Sequence, residues 1–225
     1  MNSIKYIFLV TVDCLRADHV GCIGGINLTP TIDKLAKRSI VFTRAFANGP
    51  GTSQSFPAIL TSTYFLMHGG LHLSSWCATL PEILVKHGFR TVAFHSNPFL
   101  SRVFGWNRGF MEFYDFMEEV KGPSAIATKA QKGLGRLIKP FINWTRVGYS
   151  RKIQNFFRKV YYWFAGFQIP YLEAKQLNKH VFGWVKENKG CKFFAWVHYM
   201  DTHFPFIPPD EYLPSDFETR REDFK

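Results

Sequence analysis

The chain has 225 residues, of which 46% are hydrophobic and 20% charged, a composition that excludes disorder as the main state and leaves room for one domain or two. Its net charge of +11 has the look of a nucleic-acid or membrane signal, but residues 120–190 hold 14 of the 28 basic residues against only Glu173 and Glu187, so the remainder nets −1. Four cysteines, Cys14, Cys22, Cys77 and Cys191, form neither a C-x-x-C pair nor a zinc-like spacing, which excludes a disulfide framework and predicts reduced, mostly buried thiols.

In chain order, the apolar run Tyr6 to Val12 ends on Asp13 after seven residues, far short of the roughly 20 that cross a bilayer. It reads as a buried strand within residues 4–12. No cationic, long-apolar leader precedes it, so the expected location is cytoplasmic. Thr29-Pro30 supplies an N-cap and a first-turn proline for a helix to about Arg38. A second strand is predicted over Ile40 to Phe46. After Asn48-Gly49-Pro50-Gly51 comes a short helix to about Ser62, then a helix from Leu80 to His87 stopped by Gly88, then a strand from Arg90 to His95. Strands alternating with helices predict an α/β fold with a mostly parallel sheet covered on both faces. At about residue 120 the composition shifts to basic, aromatic-rich helical patterns. The chain therefore divides into residues 1–119, a first part of the α/β core; 120–190, a helical insertion; and 191–225, a return to the core through the strand Lys192 to Tyr199.

Three segments carry chemistry. Val12-Asp13-Cys14-Leu15-Arg16-Ala17-Asp18-His19 places a carboxylate directly after a buried strand, where parallel-sheet proteins bind ligands. Asp13 suits an oxygen-liking divalent cation, or is a turn or cap residue. Gly51-Thr52-Ser53-Gln54-Ser55 follows a glycine-rich turn into a helix, which exposes amides and the positive dipole end to an anion, or supplies ordinary N-caps. Trp196-Val197-His198-Tyr199-Met200-Asp201-Thr202-His203 crowds two histidines and an aspartate at a strand end, a set that can ligate metal, donate to an oxyanion or act as general acid.

In this order and spacing, these segments resemble the sulfatase family of the alkaline-phosphatase-like superfamily. The resembling pieces are Asp13-x-x-Arg16-x-Asp18-His19-x-Gly21-Cys22, then Thr29-Pro30-Thr31-Ile32-Asp33-Lys34-Leu35-Ala36, then the helix ending Ile59-Leu60-Thr61. Asn97-Pro98-Phe99-Leu100, Arg108-Gly109-Phe110 and His198 to Pro205 extend the likeness. The resemblance implies a three-layer α/β/α sandwich, C-terminally incomplete here. It implies Thr52 as nucleophile and metal ligand, Asp13 as metal ligand, and His203 as the histidine touching the transferred group. Arg16, His95, Asn97, His198 and Asp201 become substrate-binding candidates.

Two departures qualify the likeness. Formylglycine arises from Cys or Ser in Cys/Ser-x-Pro-x-Arg, whereas Thr52-Ser53-Gln54-Ser55-Phe56 stands here, so no aldehyde is expected. Threonine resembles the phosphodiesterase and phosphoethanolamine-transferase branches, which favours phosphate over sulfate esters. The family's later Asp-His pair is absent after Asp201, so a cation (Ca, Mg, Mn or Zn) held by Asp13 and Thr52 alone would be loose. Two functions follow: a metal-dependent ester hydrolase or transferase, and a truncated or degenerate relative that keeps the fold and binds an anion. The basic, aromatic segment 133–167 predicts either peripheral contact with an anionic membrane or a helical layer packed on the sheet. Nucleic acid ranks below both.

Overall fold

The computed structural model describes residues 4–25, 29–117 and 171–204. The membrane-contact segment 133–167, most of the predicted insertion and the tail beyond residue 204 lie outside the described residues.

Four parallel strands, β1 (Tyr6–Val12), β2 (Arg90–Phe94), β3 (Glu112–Tyr114) and β4 (Phe193–Tyr199), form a sheet in the order β1-β4-β2-β3. The sequence pattern explains which strands lie inside. β2 and β4 are nearly unbroken apolar runs and are buried on both faces, as central parallel strands must be. β1 alternates between more and less exposed positions because it lies at an edge, with Tyr6, Phe8 and Val10 outward.

Helices cover both faces, giving three layers. On one side α2 (Thr52–Thr61) and α3 (Leu80–Lys86) bring Phe56, Leu60, Leu80 and Leu84 against Ala93, Phe194 and Trp196. On the other, α4 (Ala174–Glu187) places Leu177, Val181 and Trp184, spaced at helical period, against Val92, Phe94, Phe193 and Ala195. α4 lies within the segment read as an insertion. For these residues the packed helical layer is the arrangement present, and the α4 face belongs to the core.

Helix limits follow local chemistry. α1 (Pro30–Ala36) starts at its proline. α3 is opened by a capping box in which the Thr79 hydroxyl accepts from Glu82 N–H and the Glu82 carboxylate accepts from Thr79 N–H. Beyond its C-terminus Gly88 adopts φ +79°, a left-handed conformation that a β-carbon would penalise.

Three expectations fail. β1, read as a buried strand, has no buried residue, because it lies at the edge of the sheet formed by the described strands. The segment 40–46 forms no strand; Ile40, Phe42 and Phe46 are 83%, 77% and 89% exposed. Its β-branched and aromatic residues confer propensity, but a strand exists only where a neighbour completes its ladder, and none of the described residues does so. The thiols are also not mostly buried: Cys14, Cys22 and Cys191 are exposed, and Cys77 is half-buried. Cys14, Cys77 and Cys191 sit in turns or loops and Cys22 in a three-residue 3-10 helix, so no packed layer covers them. β3, three residues long, went unrecognised because so short a run shows no period.

Candidate functional site

All four strands run the same way, so their carboxyl ends share one edge of the sheet. Asp13 follows β1, His95 to Asn97 follow β2, and Met200 to His203 follow β4. The first residue of α2, Thr52, reaches the same edge.

The Asp13 carboxylate is the centre of the cluster. Its Oδ2 accepts from the Thr52 hydroxyl at 3.1 Å and from Asn97 Nδ2 at 3.0 Å, with His198 Nε2 at 3.4 Å. Its Oδ1 accepts from the Cys14 thiol at 3.2 Å. The backbone is equally tied: Asp13 N–H donates to the Tyr199 carbonyl at 2.9 Å, and the Thr202 hydroxyl donates to the Asp13 carbonyl. Desolvation pushes the Asp13 pKa up, but the hydrogen bonds from His198, Cys14 and Thr52 outweigh it and hold the carboxyl well below the usual range. This carboxylate is ionised at neutral pH.

Behind it runs a directed chain of hydrogen bonds. The Trp196 indole, which can only donate, gives its N–H to Thr11 Oγ1 at 3.0 Å. Thr11 Oγ1 lies 2.9 Å from His198 Nδ1. His198 Nε2 faces the Asp13 carboxylate, which when ionised only accepts, so in the neutral ring the proton sits on Nε2 and Nδ1 accepts from the Thr11 hydroxyl. The T-shaped contact of His198 with Phe56, at 5.2 Å between centroids, holds the imidazole in that plane.

Asn97 presents its amide group and not its oxygen to the cluster: Nδ2 faces Asp13 and Met200 Sδ, while Oδ1 accepts from Phe99 N–H at 2.9 Å. It orients the carboxylate. His203 Nδ1 lies 2.8 Å from its neighbouring carbonyl, that of Phe204; a carbonyl only accepts, so Nδ1 carries the proton and Nε2 holds the free lone pair. Carboxylate, thiol and imidazole atoms of Asp13, Cys14 and His203 all lie within 4.8 Å of one another. Together with the Thr52 hydroxyl, this donor set fits a divalent cation in kind. A cleft of about 300 Å³ opens beside it, lined by Thr52, Asn97, Phe99, Tyr171, Met200 and His203 among others. A larger hollow of about 570 Å³ near Trp76, Glu82 and Met111 contains none of these residues.

Other candidates sit elsewhere. Arg16 is on the surface, ion-paired with Asp18 at 2.6 Å. His95 is fully buried, stacked 5.1 Å from Trp196 and edge-on to Phe113, with neither ring nitrogen bonded to a described residue. Burial drives its pKa well below the ordinary histidine value. Asp201 Oδ1 accepts from Ala174 N–H at 2.9 Å, which anchors the start of α4. Sequence reasoning did not single out Cys14, Thr11, Thr202 or Tyr171. Only Cys14, adjacent to the strand-end aspartate, carried a signal that could have been read.

The site lies at the strand ends of a parallel sheet covered by helices on both faces, an α/β fold. The chain is similar to the crystal structure of a protein in the alkaline phosphatase superfamily from Vibrio parahaemolyticus, with a TM-score of 0.59 and 18% identity over 97% of this chain and 46% of the other. At that identity the likeness establishes the fold, and the chain spans less than half of that neighbour's length. The chain belongs to the sulfatase family, whose model matches residues 5–224. No curated protein matches it.

Proposed function

We propose that this chain carries the nucleophile side of a metal-dependent centre that hydrolyses or transfers phosphate or sulfate esters, with Thr52 as nucleophile. The observation that carries this reading is the 3.1 Å hydrogen bond from the Thr52 hydroxyl to an ionised, donor-saturated Asp13 at the opening of α2. The amides of the first turn favour an anion there. A divalent cation on Asp13 and Thr52 would acidify the hydroxyl and offset the ester's charge. The Thr52 hydroxyl gives its proton to solvent water as its oxygen forms a bond to the ester's phosphorus or sulfur, the bond to the leaving oxygen breaks, and that oxygen takes a proton from solvent. Water or an acceptor hydroxyl then displaces Thr52 at the same centre, losing a proton as it bonds while the departing Thr52 oxygen takes one back. His203 lines the cleft and contacts the transferred group, while Phe99 and Tyr171 offer an aromatic wall to the organic part of the ester.

Phosphate is favoured over sulfate because threonine has no geminal-diol route for expelling sulfate. A non-catalytic anion binder is the second reading; its support is that Asp13 supplies the only carboxylate in the metal-ligating cluster found among the described residues. Turnover of aryl phosphodiesters and aryl sulfates with Ca, Mg, Mn or Zn separates the two. Catalysis predicts a loss of about 10³-fold or more in Thr52→Ala; equal rates in wild type and variant remove the nucleophile. No helix among the described residues is long and apolar enough to cross a membrane. Contact of segment 133–167 with anionic vesicles is tested by salt-sensitive pelleting.

A further inference from the structure

We propose that Cys14 and His203 join Asp13 as direct ligands of the cation, and that the site therefore selects a borderline-soft ion such as zinc over magnesium or calcium. This deepens the reading above by naming the class of ion, and it moves His203 from the ester to the metal.

Three observations converge. The first is distance: Cys14 Sγ is 3.2 Å from Asp13 Oδ1, and a His203 nitrogen lies within 4.8 Å of both. Tetrahedral zinc with sulfur, nitrogen and oxygen ligands needs donors about 3.5 Å apart, so the sulfur–oxygen pair is already close enough. The histidine has about 1.3 Å to travel at most, which a side-chain rotation supplies.

The second is backbone conformation. Cys14 adopts φ +56°, the left-handed region that a residue with a β-carbon avoids. Such conformations persist where surrounding bonds over-determine them and cluster at functional sites. Here the bonds from Asp13 N–H to Tyr199 and from Thr202 to the Asp13 carbonyl hold the turn that delivers the thiol to the carboxylate. The third is the orientation of His203. Donation from Nδ1 to a backbone carbonyl leaves Nε2 as the free lone pair, the arrangement that fixes ring and tautomer in metal-ligating histidines.

Thiolate and imidazole suit zinc and its neighbours, whereas magnesium and calcium take oxygen. Binding forms a sulfur–metal bond and releases the thiol proton to solvent, so one proton appears per ion bound through Cys14. Thr52 is the fourth donor.

Cobalt(II) titration of the full chain under reducing conditions tests this through the sulfur-to-cobalt charge-transfer band. Wild type shows the band, zinc competes it away, and Cys22→Ser and Cys191→Ser retain it. Cys14→Ser, with near-ultraviolet circular dichroism unchanged, loses the band and binds cobalt roughly tenfold more weakly or worse. His203→Gln shifts the band and weakens binding. No band in wild type, or an unchanged band in Cys14→Ser, overturns the inference. Thr52-dependent turnover with magnesium but no sulfur band would leave the threonine mechanism standing without it. A Cys14-dependent band with no ester turnover would support the site and remove the reaction.

Discussion

Two polar groups follow strands of the same parallel sheet, β1 and β2, that flank β4, and they meet opposite fates. Asp13, after β1, is saturated with donors: Thr52, Asn97, Cys14 and a facing His198. His95, after β2, is completely buried between aromatic rings, with no partner for either nitrogen among the described residues. The difference lies in what each strand end meets. β1 ends beside the α2 N-terminus and the β4 turn, which bring hydroxyl, amide and imidazole groups. His95 N–H still pairs with the Tyr114 carbonyl, so its side chain stays within the layer of Trp196 and Phe113. A polar residue at the functional edge of a sheet therefore becomes site or core according to the layer its side chain enters.

Asp13→Asn breaks the comparison most severely. It removes the charge that the surrounding donors serve, and turnover is expected to fall about 10³-fold or more with loss of cation binding by calorimetry. Thr11→Val comes next. It deprives the Trp196 indole of its acceptor and His198 Nδ1 of its donor, so the imidazole is no longer held with its Nε2 proton toward Asp13. Activity and cation affinity should fall about 10- to 100-fold, with a loss of about 1 kcal/mol of stability. Nitrogen-15 shifts of His198 report the change of tautomer directly, which a purely structural role would not produce.

Acid should separate the two groups by pH window. The His95 pKa is lowered from 6.5 by burial, so the unfolded chain binds that proton first. Stability is then full above about pH 6.5 and falls below it, by up to about 1.4 kcal/mol per pH unit. The Asp13 pKa is lowered from 3.8, so its contribution is present above that value and is lost only as pH falls further. Urea midpoints across pH should show the earlier loss, and His95→Phe should flatten it while leaving the later one. A wild-type profile flat from pH 7 to 5 would contradict the unpartnered burial of His95. Arg16→Ala should have the smallest effect: its ion pair with Asp18 is fully exposed, so neither melting temperature nor KM should change measurably.

The strands and helices were legible where burial writes a period. The apolar runs of β1, β2 and β4 and the start signals of α1 and α2 were visible because a residue's own type decides them. Residues 40–46 show the limit: the pattern was strand-like, yet pairing depends on a neighbour and not on the segment itself. Of the site, the order of the Asp13, Thr52 and His203 motifs was readable through family resemblance. Their distances were not.

The amino-acid order alone determined the α/β class and the parallel sheet, since these depend on local composition and spacing. Tertiary structure decided that Cys14 turns onto the Asp13 carboxylate, that Thr11 passes the indole's hydrogen bond on to His198, and that His95 is core. Those outcomes join residues up to 187 positions apart, and such pairings are set by how strands align in space.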